Sequence, residues 1–222
     1  MFVGREEELN KLEGLYSSGS FQMAVVYGRR RVGKTALINE FCKGKRALSF
    51  TALDQSDADN LADFNRTVGN FFNLPASLGG FSTWADALNY IAEQARSERF
   101  VFVFDEFPYA AERNEALPSI FQVAIDKVFK ETAAFIILCG SNQGFMEGKV
   151  LGRKSPLFGR RTAQIKLGDL GFRDAAKMLP GLSAQEAFRF YGCFGGVPYY
   201  LQQVDSSKSL RENLARLYFD PM

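Results

Sequence analysis

Four residues in VVYGRRRVGKTALI (25–38) have the types and spacing to hold a phosphate chain. They are Gly28, Gly33, Lys34 and Thr35, in the pattern G-x-x-x-x-G-K-T. Glycine lacks a Cβ, so the backbone can wrap an anion and turn successive N–H groups toward its oxygens. The N–H groups of Arg31, Val32, Gly33, Lys34, Thr35 and Ala36 are the ones so placed. Lys34 suits the β- and γ-phosphates of a triphosphate, and the Thr35 hydroxyl suits Mg2+. A helix opening here adds the positive end of its dipole.

Such a site needs a second carboxylate from a neighbouring strand. FVFVFDEF (100–107) supplies Asp105 and Glu106 directly after an apolar run, at the strand end where open α/β sheets bind ligands. Asp105 is the expected Mg2+ anchor, directly or through a water. Glu106 is expected to take a proton from an attacking water or to orient it. CGSNQG (139–144) ends the next apolar run, and Asn142 or Ser141 can contact the γ-phosphate or hold that water; turn geometry explains the same residues. GRKSPLFGRR (152–161) carries Arg153, Lys154, Arg160 and Arg161. An arginine from this segment can neutralise transition-state charge, while a solvated basic loop or a nucleic-acid contact accounts for it too.

The elements that must position these residues are legible as apolar periodicity. MAVVYG (23–28), RALSFTA (46–52), FVFVF (100–104), AFIILCGS (134–141) and TAQIKL (162–167) read as strands. FVFVF and AFIILCGS are apolar on both parities, as strands covered on both faces should be. Helices are predicted over 35–42, with Leu37, Ile38 and Phe41 on one face, and over 57–72, 82–97 and 118–130. A Thr83–Asp86 capping box should open the third of these, with Trp84, Leu88 and Ile91 inward; Phe121, Ile125 and Val128 form the stripe of the fourth. Strands alternating with helices imply right-handed βαβ units: a three-layer α/β fold around a parallel sheet. Past residue 169 the patterns are all helical, with a Ser183–Glu186 capping box. The expected division is a nucleotide core over 1–169 and a small helical lid over 170–222. The chain closes on FDPM without a helix-stop signal and is expected to be the front part of a longer protein.

Composition sets the outer limits. The 222 residues are 46% hydrophobic, enough for one domain or one domain with a small appendage. There is no histidine, which excludes a Ser-His-Asp triad, a Cys-His nucleophile and any His-bearing zinc site. The three cysteines form no CxxC pair and read as reduced thiols. No basic-then-apolar leader and no membrane-length apolar run is present, so the protein is expected to be soluble and cytoplasmic, with no membrane partner.

With these motifs placed, the chain resembles the archaeal/bacterial ATPase family in the STAND branch of AAA+-related P-loop ATPases. FVGREEEL (2–9) is similar to the family's N-terminal hhGRExEL box, which implies that Val3, Gly4 and Arg5 lie near adenine. YGRRRVGKTAL resembles its phosphate loop. VFDEFPYA resembles its acidic motif, with Asp105 and Glu106 at the Mg2+ and water-activating positions. LCGSNQG falls at the sensor position, SPLFGRRT puts Arg160 ahead of Arg161, and GGVPYYL (195–201) resembles the glycine-proline signature of the following helices. Relatives usually continue into a winged helix and a nuclease-like C-terminal region, neither of which fits within this length.

The leading expectation is an ATPase that binds ATP with Mg2+, hydrolyses it slowly to ADP and phosphate, and uses the cycle to switch the helical lid. The alternative is a nucleotide-gated binding module, DNA-associated or otherwise, with negligible hydrolysis. A small-molecule kinase ranks third. Self-association through an arginine in trans, and a DNA or protein partner reached through a missing C-terminal region, are the partners in view beside ATP and ADP.

Overall fold

Runs that are apolar at every position need cover on both sides, and they become the three middle strands of a five-stranded parallel sheet in the computed structural model. The structure describes residues 2–75, 77 and 79–219, so 220–222 of the FDPM stretch lie outside the described residues. The strands are β1 (Gln22–Tyr27), β2 (Ala47–Thr51), β3 (Val101–Asp105), β4 (Phe135–Gly140) and β5 (Ala163–Lys166), in the spatial order β2-β3-β4-β1-β5. β3 and β4 are buried throughout and β1 nearly so, whereas the edge strands β2 and β5 alternate buried and exposed residues.

Strand parity sorts the core into two layers. Met23, Val25 and Tyr27, Phe102 and Phe104, and Ile136 and Leu138 face one side. They pack under α3 (Asp57–Phe72), α4 (Trp84–Ser97), α5 (Phe107–Arg113) and α6 (Leu117–Lys127). Ala24, Val26, Val101, Val103, Ile137 and Cys139 face the other, under α1 (Glu6–Tyr16) and α2 (Lys34–Cys42). The predicted inward residues Leu37, Ile38, Phe41, Trp84, Leu88, Ile91, Phe121 and Ile125 are all buried; Val128 is only half-buried, because α6 ends at Lys127 and a 3-10 turn follows over Phe129–Glu131.

Phe104 centres the first layer, with ring centroids 5.0 Å from Phe50, 5.3 Å from Phe107, 5.7 Å from Phe121 and 5.7 Å from Trp84. Emptying that position leaves a void bounded by rings that cannot collapse into it. Phe104→Ala is expected to cost about 3–5 kcal/mol, read as a lower urea midpoint at unchanged m-value.

The caps depart from expectation in one place. Ser183 and Glu186 form the full reciprocal box at α9 (Ala184–Phe194), and Ser209 with Glu212, not anticipated, does the same at α11 (Leu210–Leu214). Thr83 accepts from the Asp86 N–H, but Asp86 returns its carboxylate to the Thr83 hydroxyl at 2.7 Å and not to the Thr83 N–H. Aspartate is one methylene shorter than the glutamate a reciprocal box uses.

Past β5 come α8 (Phe172–Lys177), α9, α10 (Pro198–Leu201) and α11, which runs into a π turn over Ala215–Phe219. They close on a third cluster including Leu170, Leu179, Phe190 and Leu201, and Val3 from the N-terminus packs against it. No helix among the described residues is long and apolar enough to cross a membrane.

Candidate functional site

Sheet order brings the chemistry together. β4 lies between β1 and β3, so the loop after β1, the acidic end of β3 and the residue after β4 share one edge. Gly28 makes the turn out of β1 possible: a Cβ there would sit 2.3 Å from the Leu167 carbonyl oxygen. Gly33 caps α2 at φ 96°, in the left-handed region. The first helical acceptor bond runs from Leu37 N–H to Gly33 O. The N–H groups of Lys34, Thr35 and Ala36 thus have no partner inside the helix.

Lys34 is almost fully buried, and its Nζ donates to Gly28 O at 3.0 Å and Arg29 O at 3.1 Å. Thr35 Oγ1 donates to Asp105 Oδ2 at 3.2 Å, and Asp105 Oδ1 accepts from the Glu106 N–H at 2.9 Å. Asp105 is buried and makes no ion pair among the described residues. A buried carboxylate beside a hydroxyl offers two hard oxygens side by side, a donor set that fits Mg2+. No group of three or more acidic or thiol side chains among the described residues makes an all-protein metal site. Mg2+ ordinarily takes one or two protein oxygens and completes its shell with phosphate and water.

Glu106 caps α5 with φ 49°, and its Oε2 accepts from both Ser141 N–H (3.1 Å) and Ser141 Oγ (2.9 Å). Of the two candidates after β4, Ser141 therefore touches the acidic pair. Asn142 instead caps α7 (Gln143–Phe145), its Oδ1 accepting from the Phe145 N–H, and reaches Glu112 with its amide. The thiol of Cys139 beneath them is held protonated, first by burial and then by the nearby Asp105 charge.

A cleft of about 300 Å³ opens on this edge. Lys34, Thr35, Ala36, Gly33, Val32 and Arg31 line it, as does Glu106, together with Val3 and Arg5 from the N-terminal box. Gly4, Gly28 and Asp105 are not among its lining residues; a Cβ on Gly4 would meet the Asp174 side chain. The cleft is completed by residues given no individual role in the sequence: Phe2, Arg30, Leu170, Met178, Pro198, Tyr199 and Gln202. Pro198 and Tyr199 lie within the GGVPYYL signature, a signal that was present in the sequence without a role attached. Val3, Leu170 and Met178 belong to the third hydrophobic cluster, which gives the cleft an apolar wall opposite its charged one.

Four non-glycine residues among those described have positive φ: Arg5, Arg31, Asn73 and Glu106. Asn73 is a helix C-cap; the other three all line the cleft. Left-handed backbone on side-chain-bearing residues costs energy and gathers where geometry is held for a purpose.

Arg160 does not reach the cleft. Its guanidinium is bound to Asp126 on α6 and to the carbonyls of Pro156 and Phe158, and it holds the Asp126 carboxyl below the usual carboxylate range. Arg161 donates to Leu151 O.

A family model of ATPase domains, predominantly from Archaea, matches residues 2–204. An uncharacterized protein of Methanocaldococcus jannaschii is 33% identical over 204 residues, 92% of this chain and 44% of that protein, so the chain spans less than half of that relative. The Walker-type ATPase of Pyrococcus abyssi superposes with a TM-score of 0.68 at 19% identity, over 97% of this chain and 72% of that one. A signal transduction ATPase with numerous domains and a tetratricopeptide repeat sensor, from Pyrococcus horikoshii, gives 0.59 at 18%, over 98% and 32%.

Proposed function

This chain belongs to the P-loop ATPase family found predominantly in Archaea, and on that footing we propose that it hydrolyses Mg-ATP to ADP and phosphate and uses the cycle as a switch. One observation carries the reading: Lys34, the Thr35–Asp105 pair and a Glu106 held by Ser141 meet at one sheet edge.

The loop N–H groups and Lys34 bind and orient the phosphates. Mg2+, held by Thr35 and Asp105, would neutralise charge on the β- and γ-oxygens. Glu106 has one carboxylate oxygen fixed by two donors and the other free to accept a proton. Water oxygen bonds to the γ-phosphorus, the bond from that phosphorus to the bridging oxygen of ADP breaks, and Glu106 takes the proton. The apolar wall of Val3, Leu170, Met178 and Pro198 suits a nucleobase and excludes water from one side. Because Met178, Pro198 and Tyr199 come from the helical segment after residue 170, that segment shares the cleft, and the hydrolytic cycle is read out as a shift of it, the lid of the switch.

Phosphate release by the purified chain in Mg2+ tests this. Excess EDTA is expected to abolish turnover, and added MgCl2 to restore it. Turnover that persists in EDTA, or a chain that never binds ATP, ends the proposal.

A further inference from the structure

The three loop arginines are held in three different ways. Arg29 is ion-paired with Asp169 at 3.0 Å. Arg31 lies over the Tyr199 ring at 4.4 Å and the Tyr200 ring at 5.7 Å. Arg30 has neither kind of partner: its guanidinium donates to the neutral hydroxyl of Tyr109 and meets no carboxylate among the described residues.

Arg30 also lines the cleft, where Arg29 does not. Tyr109 stands one turn beyond Glu106 on α5, its N–H donating to Glu106 O at 3.0 Å. The mooring therefore holds an exposed guanidinium with no carboxylate partner among the described residues to the same helix that Glu106 opens. A guanidinium has five N–H donors in a fixed fork, so Arg30 can keep its bond to Tyr109 while its remaining donors meet an anionic phosphate oxygen, a stronger acceptor than a phenol. Arg160 would have to break an ion pair and two carbonyl bonds to do the same.

We propose that Arg30 is a catalytic residue that meets the γ-phosphoryl group in cis, with Tyr109 as its positioning residue. This rests on the ATPase reading above and assigns it a charge-neutralising arginine inside the same chain. Charge gathers on the terminal phosphoryl oxygens during transfer, and a fixed guanidinium there lowers the barrier without reorganising at the moment of reaction. It also favours triphosphate over diphosphate, because the γ-phosphate is what it touches.

The test is phosphate release by wild type, Arg30→Ala, Arg30→Lys, Tyr109→Phe and Glu106→Gln. Binding of ADP and of the β,γ-imido analogue of ATP is measured in parallel. Arg30→Ala is expected to lower kcat about 100-fold or more and to lower the preference for the imido analogue over ADP about tenfold. ADP affinity should stay within about threefold of wild type, since ADP lacks the group Arg30 meets. Arg30→Lys should recover part of kcat, as a point charge without the fork. Tyr109→Phe should lower kcat several-fold at unchanged KM, the split expected when only positioning is lost. A kcat within threefold of wild type in Arg30→Ala, or equal losses for the imido analogue and ADP, overturns the proposal. If wild type binds without turning over, hydrolysis falls and Arg30 is judged on the triphosphate preference alone. If Glu106→Gln turns over like wild type while Arg30→Ala fails, water activation by Glu106 falls and Arg30 stands.

Discussion

Lys34→Ala is expected to leave a folded protein that no longer holds ATP. The lysine is buried, and its ammonium is tied to two loop carbonyls, Gly28 O and Arg29 O. Removing it withdraws the one buried cation among the described residues, which sits inside the phosphate turn. Truncating one partner of a buried charged contact typically costs about 2–5 kcal/mol, or roughly 30- to 5,000-fold in dissociation constant. The fold should survive, because the side chain supports only the loop while the three hydrophobic clusters stay complete. Titration of ATP followed by calorimetry, with circular dichroism as the check on folding, decides the matter. Wild-type affinity in a folded Lys34→Ala protein would falsify the phosphate-loop assignment.

Glu106→Gln separates binding from chemistry. A glutamine oxygen can still accept from the Ser141 N–H and hydroxyl, so the side chain has reason to stay where the glutamate is. The residue keeps its number of side-chain torsions and its left-handed backbone. What is lost is the proton acceptor, and positioned general bases contribute typically about 10²–10⁴-fold. ATP affinity should stay near wild type while phosphate release falls by that factor. A variant as active as wild type would move the base elsewhere. If wild type and variant both bind ATP without hydrolysing it, the chain is a nucleotide-gated binding module.

The sheet was legible in the sequence because covered strands have no polar position to spoil the pattern, as in FVFVF and AFIILCGS. The placement of Lys34, Thr35, Asp105 and Glu106 was legible for a related reason: each lies at or just beyond the end of a strand, and these strand ends share one edge. Legibility failed where contact depends on side-chain direction. Ser141 and Asn142 are neighbours, yet one points to Glu106 and the other caps α7. Arg160 is paired with Asp126, from which it is separated by 34 positions and which no local pattern links to it. Helix α1 was missed because its charged faces carry few apolar repeats and it buries only Leu12; α5 was missed because its seven residues, opening directly off the acidic motif, are too few to show a helical period. Of the apolar wall only Val3 was singled out in the sequence, since no periodicity joins it to Leu170, Met178 and Pro198.

The contact between Arg31 and the Tyr200 hydroxyl spans 169 positions, and Pro198 and Tyr199 form the cleft wall beside it. A ribosome making this chain therefore releases every residue of the phosphate turn long before the residues that close the cavity around it. Contacts so distant in sequence form only after the intervening chain is ordered. The emerging protein can fold its sheet and display a bare anion turn, yet the cleft has its full lining only once α10 is in place. The turn that meets the anion and the wall that encloses it are thus ordered by different stretches of the chain, far apart in sequence.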